Sequence, residues 1–395
     1  MKVLHVIPTL AVRHGGGDRA CAELAESLAR AGLEVGVAFG SRPGVEEFVP
    51  KGVSLYPVRT ELGRDLKGIY GWSVLWRRLL RDLVPAYDIT HIHALWNIPS
   101  LVATTIARQH SRPYIVQPHG SLHPWKLRHK RLRKWLYGVL FESRILRNAA
   151  GIHTESEEDR RDVLRYIHHE TVFVVPSGAF PQVIRAPVSH LRVADMWPEL
   201  ANRRFILYLA RLDVNKGVDM LLRAFASATP WTLGWKLLIA GPDAANIERD
   251  LRHLSDVLGI GDHVVWGGML SEDAKRLALQ QCGLYVLPSL SENFGIAILE
   301  ALLCGKPVIT TTSTPWRCID EAGAGMVVEP NAQALSLAIA HMCGRSEEEL
   351  AVMGRVSRSI GDQYSWDNVA VQMIQVYEGI ASQDNKGTWK YGREQ

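Results

Sequence analysis

Leu284-Tyr285-Val286-Leu287-Pro288-Ser289-Leu290-Ser291-Glu292-Asn293-Phe294-Gly295-Ile296-Ala297-Ile298-Leu299-Glu300-Ala301 is the run from which the fold can be read. Residues 284–287 are uniformly apolar and stop at a proline, which suits a short strand buried on both faces. A polar loop follows. From about Phe294 a helix is expected, closed by Gly305, and a second apolar run, 307–311, comes next. Strand, helix and strand in that order make a βαβ unit, whose two strands lie parallel in one sheet.

The alternation extends in both directions. Around this unit, strands are expected at 205–210, 236–240, 263–266 and 325–328. Upstream lies an earlier series at 2–7, 33–39, 53–58, 87–92, 114–118, 151–154 and 171–176. Amphipathic stretches separate many of them. In 19–31, Ala20, Cys21, Leu24, Ala25 and Leu28 share one helical face and Gly32 stops the helix. The class is therefore α/β with parallel sheets. Residues 177–204 break the rhythm, with Pro181, Pro187 and Pro198 in a stretch of no sustained period. This predicts two Rossmann-like domains, 1–180 and 205–365, joined by a linker at 181–204. A last helix, 366–382, carries Val369, Val371, Met373, Ile374 and Tyr377 and is expected to pack back on the first domain, ahead of a mobile polar tail at 383–395.

Bulk composition agrees. The 395 residues suit two domains rather than one core. Net charge is +4, but residues 1–190 hold 26 Lys/Arg against 17 Asp/Glu and the remainder 19 against 24, so a basic half meets an anionic surface or substrate. Five scattered cysteines form no Cys-x-x-Cys pair, which argues against a disulfide framework or a thiolate zinc site and suits a reducing compartment. The opening Met1–Pro8 is a short apolar run holding His5, read as a buried strand rather than a leader. No apolar stretch approaches the roughly 20 residues a membrane span needs.

The chemistry gathers where strands end. Glu292 sits in the loop at the helix start and Glu300 nearly two turns in. In an open parallel sheet, ligands bind beyond the carboxyl ends of the strands, where helix N-termini favour anionic phosphates. Two carboxylates placed there accept hydrogen bonds from sugar and ribose hydroxyls. Taken by themselves they also suit helix capping by Ser291 or Glu292 with a solvated Glu300.

The Glu-x₇-Glu element, followed by Glu-Ala-Leu-Leu-Cys-Gly-Lys-Pro-Val-Ile from Glu300, resembles the retaining glycosyltransferases of family 4, which have the GT-B architecture. Three further elements carry the resemblance: Leu209-Ala210-Arg211-Leu212-Asp213-Val214-Asn215-Lys216-Gly217, the loop Gly15-Gly16-Gly17-Asp18-Arg19, and Gln117-Pro118-His119-Gly120. It spans residues 1 to about 380 and implies two Rossmann-like domains facing across a cleft that holds a nucleotide-diphosphate sugar. Arg211 and Lys216 would hold the diphosphate and stabilise it as it leaves, in place of a metal ion. Glu292 would bond the donor sugar, helped by the amides of Asn293, Phe294 and Gly295, and Glu300 the ribose. Gly16 and Gly17 would let the backbone approach the donor or acceptor, and His119 would meet the sugar. No Asp-x-Asp element occurs, so neither metal nor other cofactor is expected, and no carboxylate nucleophile stands out, which favours front-face transfer with retention. Alanine at 210 and serine at 177 depart from the family's usual glycine and asparagine. Thr314-Pro315-Trp316 resembles a subgroup of bacterial surface-polysaccharide clusters.

Lys126, Arg128, Lys130, Arg131, Arg133 and Lys134 precede Trp135 and Leu136. Such a basic amphipathic helix suits an anionic membrane at about 1 kcal/mol per basic residue, or is an ordinary solvated face; Trp72, Trp76, Arg77, Arg78 and Arg81 make a weaker second candidate. No nucleic-acid-binding module accompanies either. The expectation is a cytoplasmic hexosyltransferase, peripheral on the inner face of the membrane if the basic helix binds it, acting on a UDP- or GDP-sugar and a glycan or lipid-linked acceptor. The alternatives are a sugar-nucleotide epimerase or glycan phosphorylase of the same fold, with Lys306 a nominal cofactor lysine, or a non-catalytic membrane-associated binding protein.

Overall fold

All thirteen apolar runs form strands. The computed structural model describes residues 1–12, 16–59, 74–124, 127, 142–243 and 245–385. The first sheet contains β1 (Lys2–Ile7), β2 (Glu34–Ser41), β3 (Ser54–Arg59), β4 (Ile89–His93), β5 (Tyr114–Gln117), β6 (Gly151–Thr154) and β7 (Val172–Val174), in the order β3-β2-β1-β4-β5-β6-β7. The second contains β8 (Arg204–Leu209), β9 (Trp235–Ala240), β10 (Val264–Gly268), β11 (Leu284–Leu287), β12 (Val308–Thr311) and β13 (Gly325–Val328), in the order β10-β9-β8-β11-β12-β13. Every strand pair is parallel. Consecutive strand residues such as Phe205, Ile206, Leu207 and Tyr208 are all buried, because helices cover both faces.

Each sheet reverses its strand order once, between β1 and β4 in the first and between β8 and β11 in the second. At such a switch point the two flanking loops diverge to opposite faces and leave a crevice beyond the strand ends. The loops following β1, β4, β8 and β11 are therefore where a ligand is to be looked for.

Two compact units divide the chain. The first comprises residues 1–178 and the chain from 366 onward; the second, residues 179–365. The helix Trp366–Asn385 is part of the first unit. Ser27 donates to the Trp366 carbonyl at 2.8 Å, the Trp366 indole donates to Glu23 at 2.7 Å, and Val369, Ala370, Met373 and Tyr377 are buried. The stretch 181–204, expected as a linker, instead packs into the second unit. It forms short helices at Pro181–Ile184 and Val193–Met196, and Ile184, Val188, Trp197 and Leu200 join that unit's core. Its prolines punctuate short elements rather than free the chain. The final helix runs past 382 to Asn385, and the rest of the expected tail lies outside the described residues. All five cysteines are free. Among the described residues no helix is long and apolar enough to cross a membrane.

Candidate active site

In the second unit the loops after β8 and β11 are bound together. Beyond β8, the Ala210 amide donates to the Ala240 carbonyl at 3.1 Å, and Asp213 caps a single 3₁₀ turn, Val214–Lys216, by accepting from the Asn215 amide at 2.8 Å. Asn215 then clamps the β11 loop. Its carbonyl accepts from the Leu290 amide at 2.8 Å and its side chain donates to the Ser291 carbonyl at 2.9 Å. Gly217 makes the approach possible: at φ +68° a side chain is strained, and a Cβ would lie 2.3 Å from the Pro288 carbonyl oxygen. Across this junction Lys216 and Glu292 form an ion pair, with side chains 14% and 12% exposed. Arg211 is exposed and makes no ion pair among the described residues. Beneath it the buried Tyr208 phenol, pushed well above its ordinary range by burial and then by Glu292, donates to the Arg211 carbonyl at 3.1 Å.

The helix after β11 runs Ile296–Leu303, one to two residues later than expected, behind Gly295 at φ +89°. Among the described residues the amides of Phe294, Gly295, Ile296 and Ala297 donate to no other group of the protein, so a row of N–H groups at the positive end of a helix dipole is open to an anion. The Phe294 side chain is a core anchor, packed on Trp316 and Tyr364. Glu300 is not solvated. It is 3% exposed and ion-paired at 3.0 Å with Lys275, which also meets Glu272 at 2.9 Å. Lys275 lies on another helix, Glu272–Gln281, and nothing in its local sequence marks it. Lys306 donates to the Gln280 carbonyl at 2.8 Å and so is tied into a turn.

In the first unit the crevice at the β1/β4 switch is a cleft of about 270 Å³ lined by Ile7, Pro8, Thr9, Gly17, Asp18, Ala94, Leu95, Asn97 and His119. Three of the non-glycine residues with left-handed backbone gather at the ends of β4 and β5: Ala94 (φ 66°), Trp96 (φ 63°) and His119 (φ 50°). Such conformations cost of order 1–3 kcal/mol each and persist where surroundings impose them, commonly at functional sites. Here Asn97 and Ser100 bind the Ala94 carbonyl at 3.2 and 3.0 Å, and the buried Glu142 accepts from the Trp96 amide at 2.7 Å. Burial pushes the Glu142 carboxyl up to about 7. Gly16 and Gly17 are the first residues of the helix Gly16–Arg30 rather than of a loop. A Cβ on Gly16 would meet open space, and one on Gly17 only ordinary contact with His119 at 3.7 Å, so the protein itself does not demand glycine there.

His119 does not stand alone. Its Nε2 lies 3.0 Å from His93 Nδ1, and its Nδ1 lies 3.7 Å from Glu155, a buried carboxylate that also accepts from Ser177. His91, His93 and Glu155 are not among the site residues expected from the sequence. The available signal was strand parity: His91 and His93 are two apart on β4, His5 lies on its neighbour β1, and His153 lies on β6, with β5 between. Lys126, Arg128, Lys130, Arg131, Arg133 and Lys134 lie outside the described residues, as does Trp72. Trp76 is fully buried, with Arg77, Arg78 and Arg81 exposed on the other face of its helix, so this second candidate is an ordinary core helix with a charged outer face.

A family model described as "Glycosyl transferase 4-like domain" matches residues 15–178, and one described as "Glycosyl transferases group 1" matches residues 195–357. The chain is 23% identical to a GDP-mannose:cellobiosyl-diphosphopolyprenol alpha-mannosyltransferase of Komagataeibacter xylinus, over 96% of this chain and 93% of that one. It is 27% identical to the D-rhamnosyltransferase WbpZ of Pseudomonas aeruginosa, over 85% and 84%. Among solved structures, sucrose-phosphate synthase from Thermosynechococcus elongatus matches 97% of this chain and 99% of its own at a TM-score of 0.74 and 20% identity. Anabaena HepE, in complex with UDP and glucose, matches 96% and 100% at 0.72 and 18%. The structural likenesses establish the GT-B fold, and the two matched domains, in this order along nearly the whole chain, make it a glycosyltransferase of the family 4 type.

Proposed function

We propose that this enzyme transfers a hexose from a UDP- or GDP-linked sugar to a glycan or lipid-linked glycan acceptor, with retention and without a metal ion. One observation carries the reading. The loops after β8 and β11, which Asn215 ties together, carry an exposed arginine, a lysine paired with Glu292 and a row of open helix amides. A diphosphate fits that set, because its charge is met by Arg211, Lys216 and the amides, and these cations are most useful as the leaving group gains charge in the transition state. Glu292 holds Lys216 in place and accepts from the donor sugar's hydroxyls; Glu300, held by Lys275, accepts from the ribose. Both carboxylates are already paired with lysines, which suits them to accept hydrogen bonds rather than to attack the anomeric carbon, and front-face departure and attack follow. His119, Gly16 and Gly17 are assigned to contacts with sugar or acceptor. The polyprenol-linked substrate in the name of the Komagataeibacter relative motivates a lipid-linked acceptor and, with it, work at the inner face of the cytoplasmic membrane.

Two experiments test this. In a thermal-shift panel of UDP, GDP, ADP and their sugars, the right nucleotide at 100 times its dissociation constant adds about 2.7 kcal/mol of stability. Arg211→Ala, Lys216→Ala and Glu292→Ala are each expected to lower kcat/KM by about 10²-fold or more, with full wild-type activity in EDTA. Near-normal rates in all three variants, or a strict requirement for a divalent ion, would remove the mechanism.

A further inference from the structure

One face of the first sheet buries a row of imidazoles. β1 pairs with β4 so that His5 faces His91, and β4 with β5 so that His93 faces Gln117; His153 lies on β6. The rings stack, with centroids 4.5 Å apart for His91 and His93, 5.2 Å for His5 and His93, and 5.3 Å for His93 and His119. They form two hydrogen-bonded chains. In one, His5 Nδ1 meets His93 Nε2 at 2.9 Å and His93 Nδ1 meets His119 Nε2 at 3.0 Å. In the other, Tyr377 meets His91 Nδ1 at 2.8 Å, His91 Nε2 meets His153 Nδ1 at 3.4 Å, and His153 Nε2 meets the Val175 carbonyl at 2.7 Å.

Burial pushes His5 down to about 3 and His153 to about 4, and His91 and His93 well below the ordinary range. These four rings are neutral, each with one N–H and one lone pair. The Val175 carbonyl only accepts, so His153 carries its proton on Nε2 and accepts from His91 Nε2–H, and His91 in turn accepts from the Tyr377 hydroxyl. The first chain is set from Glu155. Burial alone would push its carboxyl up, but the hydrogen bonds from His119 and Ser177 help to outweigh that and hold it below the usual range, hence ionised. A ring lone pair facing this carboxylate would be repelled and an N–H attracted, so the His119 proton sits on Nδ1. Nε2 then accepts from His93 Nδ1–H, and His93 Nε2 accepts from His5 Nδ1–H. The row ends on His5 Nε2, which is buried and has no partner among the described residues; in this arrangement it is a bare lone pair. Moving the His119 proton to Nε2 would switch both rings behind it and leave a buried N–H without an acceptor.

We propose that His93 and His5 are positioning residues that lock His119 as the neutral Nδ1–H tautomer: its Nε2 lone pair is taken by His93 and its N–H faces Glu155, so His119 meets the sugar as an oriented neutral ring and does not act as a base. This rests on the reading that His119 meets the sugar. His119 lines the cleft, and a Cβ on Gly17 would lie 3.7–3.9 Å from its Cγ, Nδ1 and Cδ2. His5, His91 and His93 bring ring nitrogens within 4.8 Å of one another, as a metal site would, but the lone pairs of His91 and His93 are taken by Tyr377 and His5, which leaves only that of His5 Nε2.

The test is long-range ¹H–¹⁵N correlation on the full chain labelled at histidine, beside kinetics. Wild type is expected to show Nδ1–H at His119. His93→Asn, whose amide N–H stands where Nδ1–H was, keeps that tautomer, whereas His93→Leu and the more distant His5→Phe yield mixed tautomers and lower kcat by about tenfold or more with donor KM within about twofold. An Nε2–H or protonated His119 in wild type would overturn the proposal. So would equal losses in His93→Asn and His93→Leu, or stoichiometric zinc that a chelator strips from the purified protein. The spectra need no substrate, so a fully active His119→Ala would sink only the sugar contact.

Discussion

Glu142 and Gly217 are single residues on which a candidate site leans. Glu142 holds the strained Ala94–Trp96 loop through the Trp96 amide, yet burial keeps its carboxyl protonated up to about pH 7. A carboxyl whose native pKa is raised favours the fold fully below its unfolded value, near 4.5, and that contribution fades as pH rises towards 7. Glu142→Gln keeps the amide acceptor and cannot ionise. The stability of the variant relative to wild type, read from urea melts, should therefore rise between pH 5 and pH 8 by on the order of 3 kcal/mol; a gap that stays level would mean the carboxylate is solvated. Gly217 sets the spacing of the two loops in the second unit. Gly217→Ala should push Pro288 away and separate Lys216 from Glu292, lowering kcat/KM along with a stability loss of at least about 1 kcal/mol. Unchanged kinetics would show that the ion pair does not need this spacing.

At the scale of elements, the helix Trp366–Asn385 has the largest consequence. Its chain neighbours belong to the second unit, but it covers the first, giving Trp366, Val369, Ala370, Met373 and Tyr377 to that core and the Tyr377 hydroxyl to His91. Fit here is tight, since a Cβ on Gly178 would lie 2.8 Å from the Trp366 ring. A chain ending at Ser365 loses these five buried side chains and that of Ile380, and large-to-small changes at single core positions already cost about 2–5 kcal/mol. Calorimetry of that truncated chain is expected to lose the transition of the first unit and keep that of the second. Two surviving transitions would show that the helix is dispensable. The stretch 181–204 is the counterpart. It lacks period because its helices are only four residues long, and Trp197 and Leu200 nevertheless pin it to the second core.

At the scale of the molecule, the two units should respond differently to acid. His5, His91, His93 and His153 stay neutral in the folded first unit but take up protons near pH 6.5 when unfolded. Their contribution to stability is full above that pH and is lost as pH falls towards their native values, at about 1.4 kcal/mol per pH unit for each histidine. Glu142 works in the opposite sense, but it is one group against four. In the second unit His190, His253 and His341 are exposed and His263 is half-buried, so no comparable loss is built in. Pulsed hydrogen exchange between pH 7 and pH 4.5 should find the first unit opening while the second stays protected; simultaneous loss, or the reverse order, would mean that the imidazoles are hydrated in the folded state.

What the sequence determined by itself was the fold and the neighbourhood of the chemistry. Apolar period, proline and glycine punctuation, and alternation of strand with helix are local signals, and they located all thirteen strands, the loops holding Arg211, Lys216 and Glu292, and the helix holding Glu300. Only the tertiary structure decided which side chains these residues meet. Lys275 reaches Glu300 across 25 positions, His5 reaches His93 across 88 and His91 reaches Tyr377 across 286. Those pairings depend on the order in which strands lie side by side and on which helix covers them. Periodicity carries no record of either, because it fixes which face of an element is buried and not what it is buried against.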